Sequence, residues 1–383
     1  MKKRVIVLGS TGSIGRSALE VLQALAYDWE IVGLAAGSKA SQLAQQANRV
    51  HPQAIAIVRE DRMAQLKEAL DYAAEIFAGD DALVALLNAV DFDCAVCAVV
   101  GAAGLAATLR AVELGKRVAL ANKEALVVAG SLVLRLAKSS GAEIIPVDSE
   151  HSAVFQAMHA GHRDEVRRVY LTASGGPFRN WTVEAMDAAT VSDALQHPTW
   201  DMGPKITIDS ATMMNKAMEV VEARWLFDLD PERIDVLVHP ESVVHSMVEF
   251  CDGSMIAQMG TPDMRTPIQY ALTYPARHPC PSESLDLAKL GRLTFQTPDL
   301  GRFPALSLGY QVARRGGTCG AVFNAANERA VELFRDGGLG FCDIARVTEQ
   351  ALREHEYKKE PTLDDLLAAD RWARDEVARC KAC

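Results

Sequence analysis

The chain has 383 residues, 49% of them hydrophobic and 23% charged, with a formal net charge of −10. That length suits two or three domains with sizeable cores, and the balance excludes a disordered chain. The acidic surface argues against nucleic acid or anionic membranes as partners, while leaving room for a few local cations to hold one phosphate.

The start, Met1-Lys2-Lys3-Arg4, is basic, but the apolar run after it covers only Val5 to Leu8. That is too short for a secretory signal, and no stretch reaches the ~18 apolar residues of a membrane span. A cytoplasmic protein without a transit peptide is the expectation. Strand-like segments at 3–8, 30–35, 54–58, 94–100, 117–120 and 142–147 alternate with amphipathic helical stretches such as 13–25 and 124–136. Such alternation predicts an α/β fold, with an N-terminal Rossmann-type doubly wound sheet over residues 1–148.

Beyond it, a helix near 152–159, a strand near 168–172, a loop-rich stretch with Pro177, Pro198 and Pro204, a long helix over 212–227 and strands near 234–238, 243–250 and 254–259 read as a central α+β catalytic domain, residues 149–274. Dense prolines and weak periodicity mark 275–299 as a linker. Helices near 304–314, 320–334, 343–356 and 363–380 form a C-terminal helical bundle over 300–383, the last one preceded by a capping-box-like Thr362-x-x-Asp365. Of the eight cysteines, Cys94 and Cys97 fall on opposite faces of an apolar strand and read as buried thiols. Cys380 and Cys383 have no matching half-site for zinc.

Chemistry gathers at strand ends. Strand 3–8 runs into Gly9-Ser10-Thr11-Gly12-Ser13-Ile14-Gly15 and then a helix, which brings glycine backbone and free helical N–H groups toward a pyrophosphate. The G-x-x-G-x-x-G spacing departs from the commonest fingerprint. After the second strand stand Gly37-Ser38-Lys39, a hydroxyl and a cation where NAD sites usually carry an acid, so NADPH is favoured.

Asn122-Lys123-Glu124 follows another strand end. In Pro146-Val147-Asp148-Ser149-Glu150-His151, a continuing strand would point Asp148 and Glu150 the same way; the alternative is a pair of helix-capping acids. Asn215, Lys216 and Glu219 share one helix face. With Ser210, Asn215 and Lys216 suggest a phosphate clamp, and Glu219 could join Asp148 and Glu150 around a hard divalent cation; a Lys216–Glu219 surface ion pair is the competing reading. Ser174-Gly175-Gly176 reads as a second substrate loop. His197-Pro198-Thr199-Trp200-Asp201-Met202-Gly203 reads as a lid.

The strings GSTGSIG, LANKEALV, PVDSEHSAVFQ, SGGPFR, HPTWDMG, KITIDSATMMNK followed by Glu219, HPESVVHSMVEF and TPDMRTPIQYAL occur in this order between Gly9 and Leu272. Together they closely resemble the 1-deoxy-D-xylulose 5-phosphate reductoisomerase family. The resemblance implies rearrangement and NADPH-dependent reduction of that phosphosugar to 2-C-methyl-D-erythritol 4-phosphate, in non-mevalonate isoprenoid precursor synthesis, by a homodimer using Mg²⁺ or Mn²⁺. It implies NADPH contacts from Thr11, Gly12, Ser13, Ile14, Gly37, Ser38, Lys39, Asn122, Glu124 and Gly203. Metal ligation falls to Asp148, Glu150 and Glu219, and substrate contacts to Lys123, Ser149, Glu150, Ser174, His197, Ser210, Asn215, Lys216 and Glu219. Lys123 and the three acids form the catalytic set. Pro204, where the family usually has a basic residue, and Ala173, in place of a glycine, are departures. The runner-up, a semialdehyde dehydrogenase, needs a catalytic cysteine in a polar loop, and none is evident; a nucleotide sensor would not need three acids.

Overall fold

The computed structural model describes residues 2–200 and 202–380, so Asp201 of the expected lid and Cys383 of the terminal C-x-x-C lie outside the described residues. The chain forms two compact units: Met1–Asn122 with Val133–Ser152 and Asp263–Glu283, and Lys123–Leu132 with Ala153–Pro262 and Ser284–Cys383.

In the first unit the order is β1 (Lys3–Leu8), α1 (Ser13–Ala24), β2 (Trp29–Ala36), α2 (Ala40–Val50), β3 (Ala54–Ile57), α3 (Met63–Glu68), β4 (Glu75–Ala78), α4 (Ala82–Ala89), β5 (Cys94–Cys97), α5 (Leu105–Glu113) and β6 (Arg117–Leu120). Then come α6 (Lys123–Ser140), β7 (Glu143–Pro146) and α7 (Ser149–Ala157), of which α6 and α7 each run on from one unit's residues into the other's. The seven strands form one parallel sheet in the order β4-β3-β2-β1-β5-β6-β7. Val5, Ile6 and Val7 are fully buried, because a strand covered on both faces reads as a continuous apolar run. The order reverses direction between β1 and β5, the switch point beside which such sheets bind ligands. Burial pushes the Cys94 and Cys97 thiols each up to about 12, so these two are inert core residues.

Three expectations for this half need correction. The fifth strand stops at Cys97 rather than 100, because the Asn122 side-chain amide donates to the Val99 and Gly101 carbonyls and peels that backbone from the sheet. The seventh strand stops at Pro146; the Asp148 carbonyl accepts the Ser152 N–H at 2.8 Å and α7 begins, so Asp148 and Glu150 do not share a strand face. The half-buried edge strand β4 and the helix Arg265–Thr273, with Pro267 in its first turn, were not anticipated. That helix packs on α1, β6 and β7, and Arg117 donates to the Leu272 and Tyr274 carbonyls at 3.2 and 2.9 Å.

The second unit continues with β8 (Val166–Ala173), α8 (Val183–Asp187), α9 (Val191–Ala194), α10 (Pro204–Ala211), α11 (Met214–Leu226), β9 (Ile234–Val238), β10 (Val244–Phe250) and β11 (Met255–Met259). After α12, the Arg265–Thr273 helix just described, follow α13 (Leu287–Leu290), α14 (Pro304–Arg315), α15 (Cys319–Arg335), α16 (Asp343–Glu354) and α17 (Leu363–Cys380). Its mixed sheet has the order β11-β10-β8-β9, parallel only between β8 and β9. The long helix expected over 212–227 is α11, starting at Met214; α10 before it was not anticipated, and Met213, in a left-handed conformation with φ 61°, separates the two. The terminal bundle shares one core with the sheet: Val169 and Leu171 of β8, Val221 of α11, Leu306 of α14, Phe323 of α15 and Ala373 of α17 belong to a single buried cluster.

Close backbone approach sets part of that packing. A Cβ on Gly320 would lie 1.9 Å from the Val127 carbonyl oxygen, and one on Gly309 would lie 2.5 Å from that of Ala217. Neither carbonyl can yield without moving its helix. Gly320→Ala is therefore expected to destabilise the protein by about 1–3 kcal/mol in denaturant titration; an unchanged midpoint would show that α15 slides freely along α6.

Candidate active site

In the first unit the buried β1 delivers the chain into a turn that only small residues allow. Gly9 has φ +82°, and a Cβ there would meet the Ala98 carbonyl oxygen at 2.4 Å; one on Gly15 would meet the Gly9 oxygen at 2.2 Å. The Gly9 and Ser10 N–H groups both donate to the Ala35 carbonyl, at 2.9 and 2.8 Å, which ties the turn to the end of β2. Thr11 is buried, Gly12 and Ile14 are half-buried and Ser13 is exposed. Gly12 caps α1 in an extended conformation without a side-chain acceptor, and no acid stands in the first turn, so that helix end favours an anion. Gly37, Ser38 and Lys39 are all exposed at the end of β2, and none carries a carboxylate. Asn122 is almost fully buried, bracing the loop after β5. Asp148 and Glu150 are half-buried around the start of α7, where the Ser149 hydroxyl donates to the Glu150 carboxylate.

In the second unit one fully buried carboxylate gathers the polar groups. Glu219 Oε1 accepts from Lys123 Nζ at 3.2 Å and from Asn215 Nδ2 at 2.6 Å, while Lys216 Nζ reaches Glu219 Oε2. Lys123 Nζ also donates to Asn215 Oδ1 at 2.9 Å. Lys123, Lys216 and Glu219 are 8%, 3% and 0% exposed, which rules out a Lys216–Glu219 surface pair.

A second charged cluster lies beside it. Lys205 Nζ contacts Asp209 at 2.8 Å and Glu124 at 3.4 Å, and Asn327 Nδ2 donates to Asp209 at 2.8 Å. Burial works against the Lys205 charge, but Asp209, Glu124 and Glu328 outweigh it and hold the ammonium above its ordinary pKa. Sequence reasoning passed over Lys205 and Asn327. The i,i+4 spacing of Lys205 and Asp209 was a usable signal; nothing local announces Asn327.

Glycine also shapes the loop after β8, the one expected to meet substrate. Gly175 and Gly176 have φ +83° and +67°, and a Cβ on Gly176 would meet the Ser210 carbonyl oxygen at 2.6 Å. Ser210, expected near the start of the helix bearing Asn215 and Lys216, lies in the last turn of α10, just before α11 begins at Met214. Ser174 Oγ is 3.0 Å from His197 Nε2 and accepts the Gly176 N–H. The Thr199 and Trp200 N–H groups donate to His197 Nδ1 at 3.1 and 2.9 Å. With Nδ1 accepting, the imidazole is neutral and Nε2–H donates to Ser174. Trp200 lies 6.4 Å, centroid to centroid, from His245. Gly203 is exposed and caps α10, with Pro204 at its first position.

Burial holds the His197 pKa below its ordinary value. The unfolded chain therefore takes a proton first as pH falls, so this contribution to stability is complete above about pH 6.5 and fades below it. Protonation also removes the acceptor at Nδ1. Amide exchange at Thr199 and Trp200, corrected for intrinsic chemistry, should accelerate once pH falls below about 6.5 far enough to protonate His197; a corrected rate flat down to the acid unfolding of the protein would mean Nδ1 is not their acceptor.

The chain matches the family model for 1-deoxy-D-xylulose 5-phosphate reductoisomerase over residues 5–130, that family's C-terminal domain over 144–227, and the DXP reductoisomerase C-terminal domain over 259–376. It is 50% identical over 375 residues to the 1-deoxy-D-xylulose 5-phosphate reductoisomerase of Pelotomaculum thermopropionicum, covering 97% of each chain. The structure superposes on that enzyme from Zymomonas mobilis in complex with NADPH with a TM-score of 0.93 and 44% identity, covering 100% of this chain and 99% of the other. A DOX-P reductoisomerase in complex with NADPH, fosmidomycin and magnesium gives a TM-score of 0.92 and 40% identity over 99% and 98%.

Proposed function

The chain belongs to the 1-deoxy-D-xylulose 5-phosphate reductoisomerase family, and from that premise we propose how its own residues divide the work. The reaction is the NADPH- and divalent-metal-dependent conversion of 1-deoxy-D-xylulose 5-phosphate to 2-C-methyl-D-erythritol 4-phosphate, in isoprenoid precursor synthesis. The observation that carries the residue assignment is the buried Glu219 carboxylate gripped by Lys123, Asn215 and Lys216. A carboxylate is costly to bury so completely unless cations compensate it, and a site that invests in this is built for charge.

We assign NADPH to Thr11, Gly12, Ser13, Ile14, Gly37, Ser38, Lys39, Asn122, Glu124 and Gly203. The fit rests on a turn too tight for side chains at Gly9 and Gly15, and on the lack of a carboxylate at Gly37–Lys39. We assign the cation to Asp148, Glu150 and Glu219, an all-oxygen donor set that suits Mg²⁺ or Mn²⁺. When bound, NADPH supplies a hydride and the cation supplies Lewis acidity toward the ketone and hydroxyl oxygens of the substrate.

The remaining roles belong to the polypeptide. Ser174, His197, Ser210, Asn215 and Lys216 hold the phosphorylated substrate. His197 serves in its neutral form, donating through Nε2, and Ser149 orients Glu150 through the hydroxyl it donates. Lys123 Nζ, fixed by Asn215 and Glu219, keeps a proton at the reacting end of α6, and Lys123 and Glu150 move protons as the carbon skeleton rearranges. The loop 197–203 closes over bound substrate and excludes water, with Trp200 as its cover.

We also propose a homodimer in the cytoplasm. The edge strand β11 leaves Met255 and Ile256 50% and 37% exposed, a liability that a second copy removes. Free thiols such as Cys94, Cys97 and Cys319 suit a reducing compartment. Light scattering should give twice the 41.4 kDa chain mass, and a monomer at micromolar concentration would refute the dimer.

NADPH oxidation should require both the phosphosugar and a divalent metal. Glu219→Gln should lower kcat at least about 100-fold and weaken Mn²⁺ binding, read by electron paramagnetic resonance, while NADPH still binds. Unchanged Mn²⁺ affinity would remove Glu219 from the ligand set.

A further inference from the structure

We propose that Gln46 is a positioning residue for the nucleotide turn, acting through Ser10 to aim the Thr11 N–H at the pyrophosphate of NADPH; this rests on the cofactor role assigned to residues 11–14. Gln46 lies on α2, 36 residues along the chain from Ser10. Its Nε2 donates to the Ser10 carbonyl at 2.9 Å, and its Oε1 accepts from the Ser10 hydroxyl at 2.7 Å. Ser10 is fully buried, so both of its oxygens need partners, and one amide serves the two.

The consequence follows from peptide planarity. In a trans peptide the N–H points opposite to the C=O. Pinning the Ser10 carbonyl toward α2 turns the Thr11 N–H away from α2. The next carbonyl, that of Thr11, accepts from Arg16 Nη1 at 3.1 Å. The sheet cannot do this job: the backbone donors of Gly9 and Ser10 are already committed to Ala35. Side chains from α1 and α2 therefore set the planes of the turn. Gln46 is not core filler either. With Arg16, Gln23 and Gln42 it lines a groove of about 830 Å³, and its side chain is half-buried.

The test uses the full-length enzyme in three variants. Gln46→Met keeps the length of the side chain and loses both hydrogen bonds. Gln46→Glu keeps the acceptor for the Ser10 hydroxyl but sets a carboxylate against the Ser10 carbonyl. Ser13→Glu places a negative charge at the helix end assigned to the pyrophosphate. Direct titration should show the Kd for NADPH rising about tenfold in Gln46→Met and further in Gln46→Glu. The kcat at saturating NADPH and the KM for the phosphosugar should stay within about twofold, because neither bond strengthens in the transition state. A wild-type Kd in Gln46→Met overturns the proposal, as does a loss shared equally between kcat and both KM values. Ser13→Glu separates the two claims. If it too binds NADPH normally, the cofactor assignment of the turn fails. If it binds weakly while Gln46→Met binds normally, the assignment stands and the role of Gln46 falls.

Discussion

The carboxylate of Glu219 is shut away from solvent, and its charge is tolerable only because Lys123 and Lys216 face it and Asn215 donates to it. This arrangement fixes more than one side chain. Lys123 opens α6, while Asn215, Lys216 and Glu219 occupy the first two turns of α11, so the two helix starts are locked together by charge. The next residue on α6, Glu124, is bound in turn by Lys205 at the start of α10. Three helix N-termini thus meet through consecutive side chains. Breaking any one member would leave a buried charge uncompensated, which costs far more than the pair contributes when intact.

The C-terminal bundle takes part in this arrangement. Asn327 on α15 donates to Asp209, the acid that partners Lys205. The neighbouring Glu328 pairs with Arg374 on α17 at 2.6 Å and contributes to holding the Lys205 charge. The shared hydrophobic cluster makes the same point in apolar terms, since Phe323 and Val221 belong to one core. The helices that the sequence marks as a separate bundle share the core of the second unit and brace its buried charges.

Legibility from sequence followed the range of each interaction. The strand, glycine turn and helix around Gly9–Gly15 were readable because their cause is local: a buried apolar run and a turn without room for Cβ atoms. Residue types at the site were readable too, as Lys123, Asn215, Lys216 and Glu219 stand in strings that resemble a family. Their partnerships were not, because Lys123 meets residues 92 and 96 positions away and Asp209 meets one 118 away. The later start of α11, at 214 rather than 212, escaped notice because a non-glycine left-handed residue such as Met213 is uncommon and has no strong local signal. The strand end at Cys97 was missed because its cause, Asn122, lies beyond the end of another strand, more than twenty positions along the chain. The edge strand β4 escaped because half-burial leaves a weak pattern, and α12 because Pro267 looks like a breaker until it is seen in the first turn.

The path of the chain through the two units bears on how the protein is made. The first unit takes residues up to Asn122, then Val133–Ser152, and is completed only by Asp263–Glu283, whose helix α12 lies on α1, β6 and β7. On a ribosome adding about 5–20 residues per second, the seven-stranded sheet waits many seconds with that flank uncovered while half of the second unit is synthesised. Neither unit is a contiguous cassette, so recombination cannot exchange the first unit for another by a single crossover. A graft would have to cut the gene at five places. Inheritance of this fold as an indivisible whole follows from the threading of its backbone, independently of any catalytic demand.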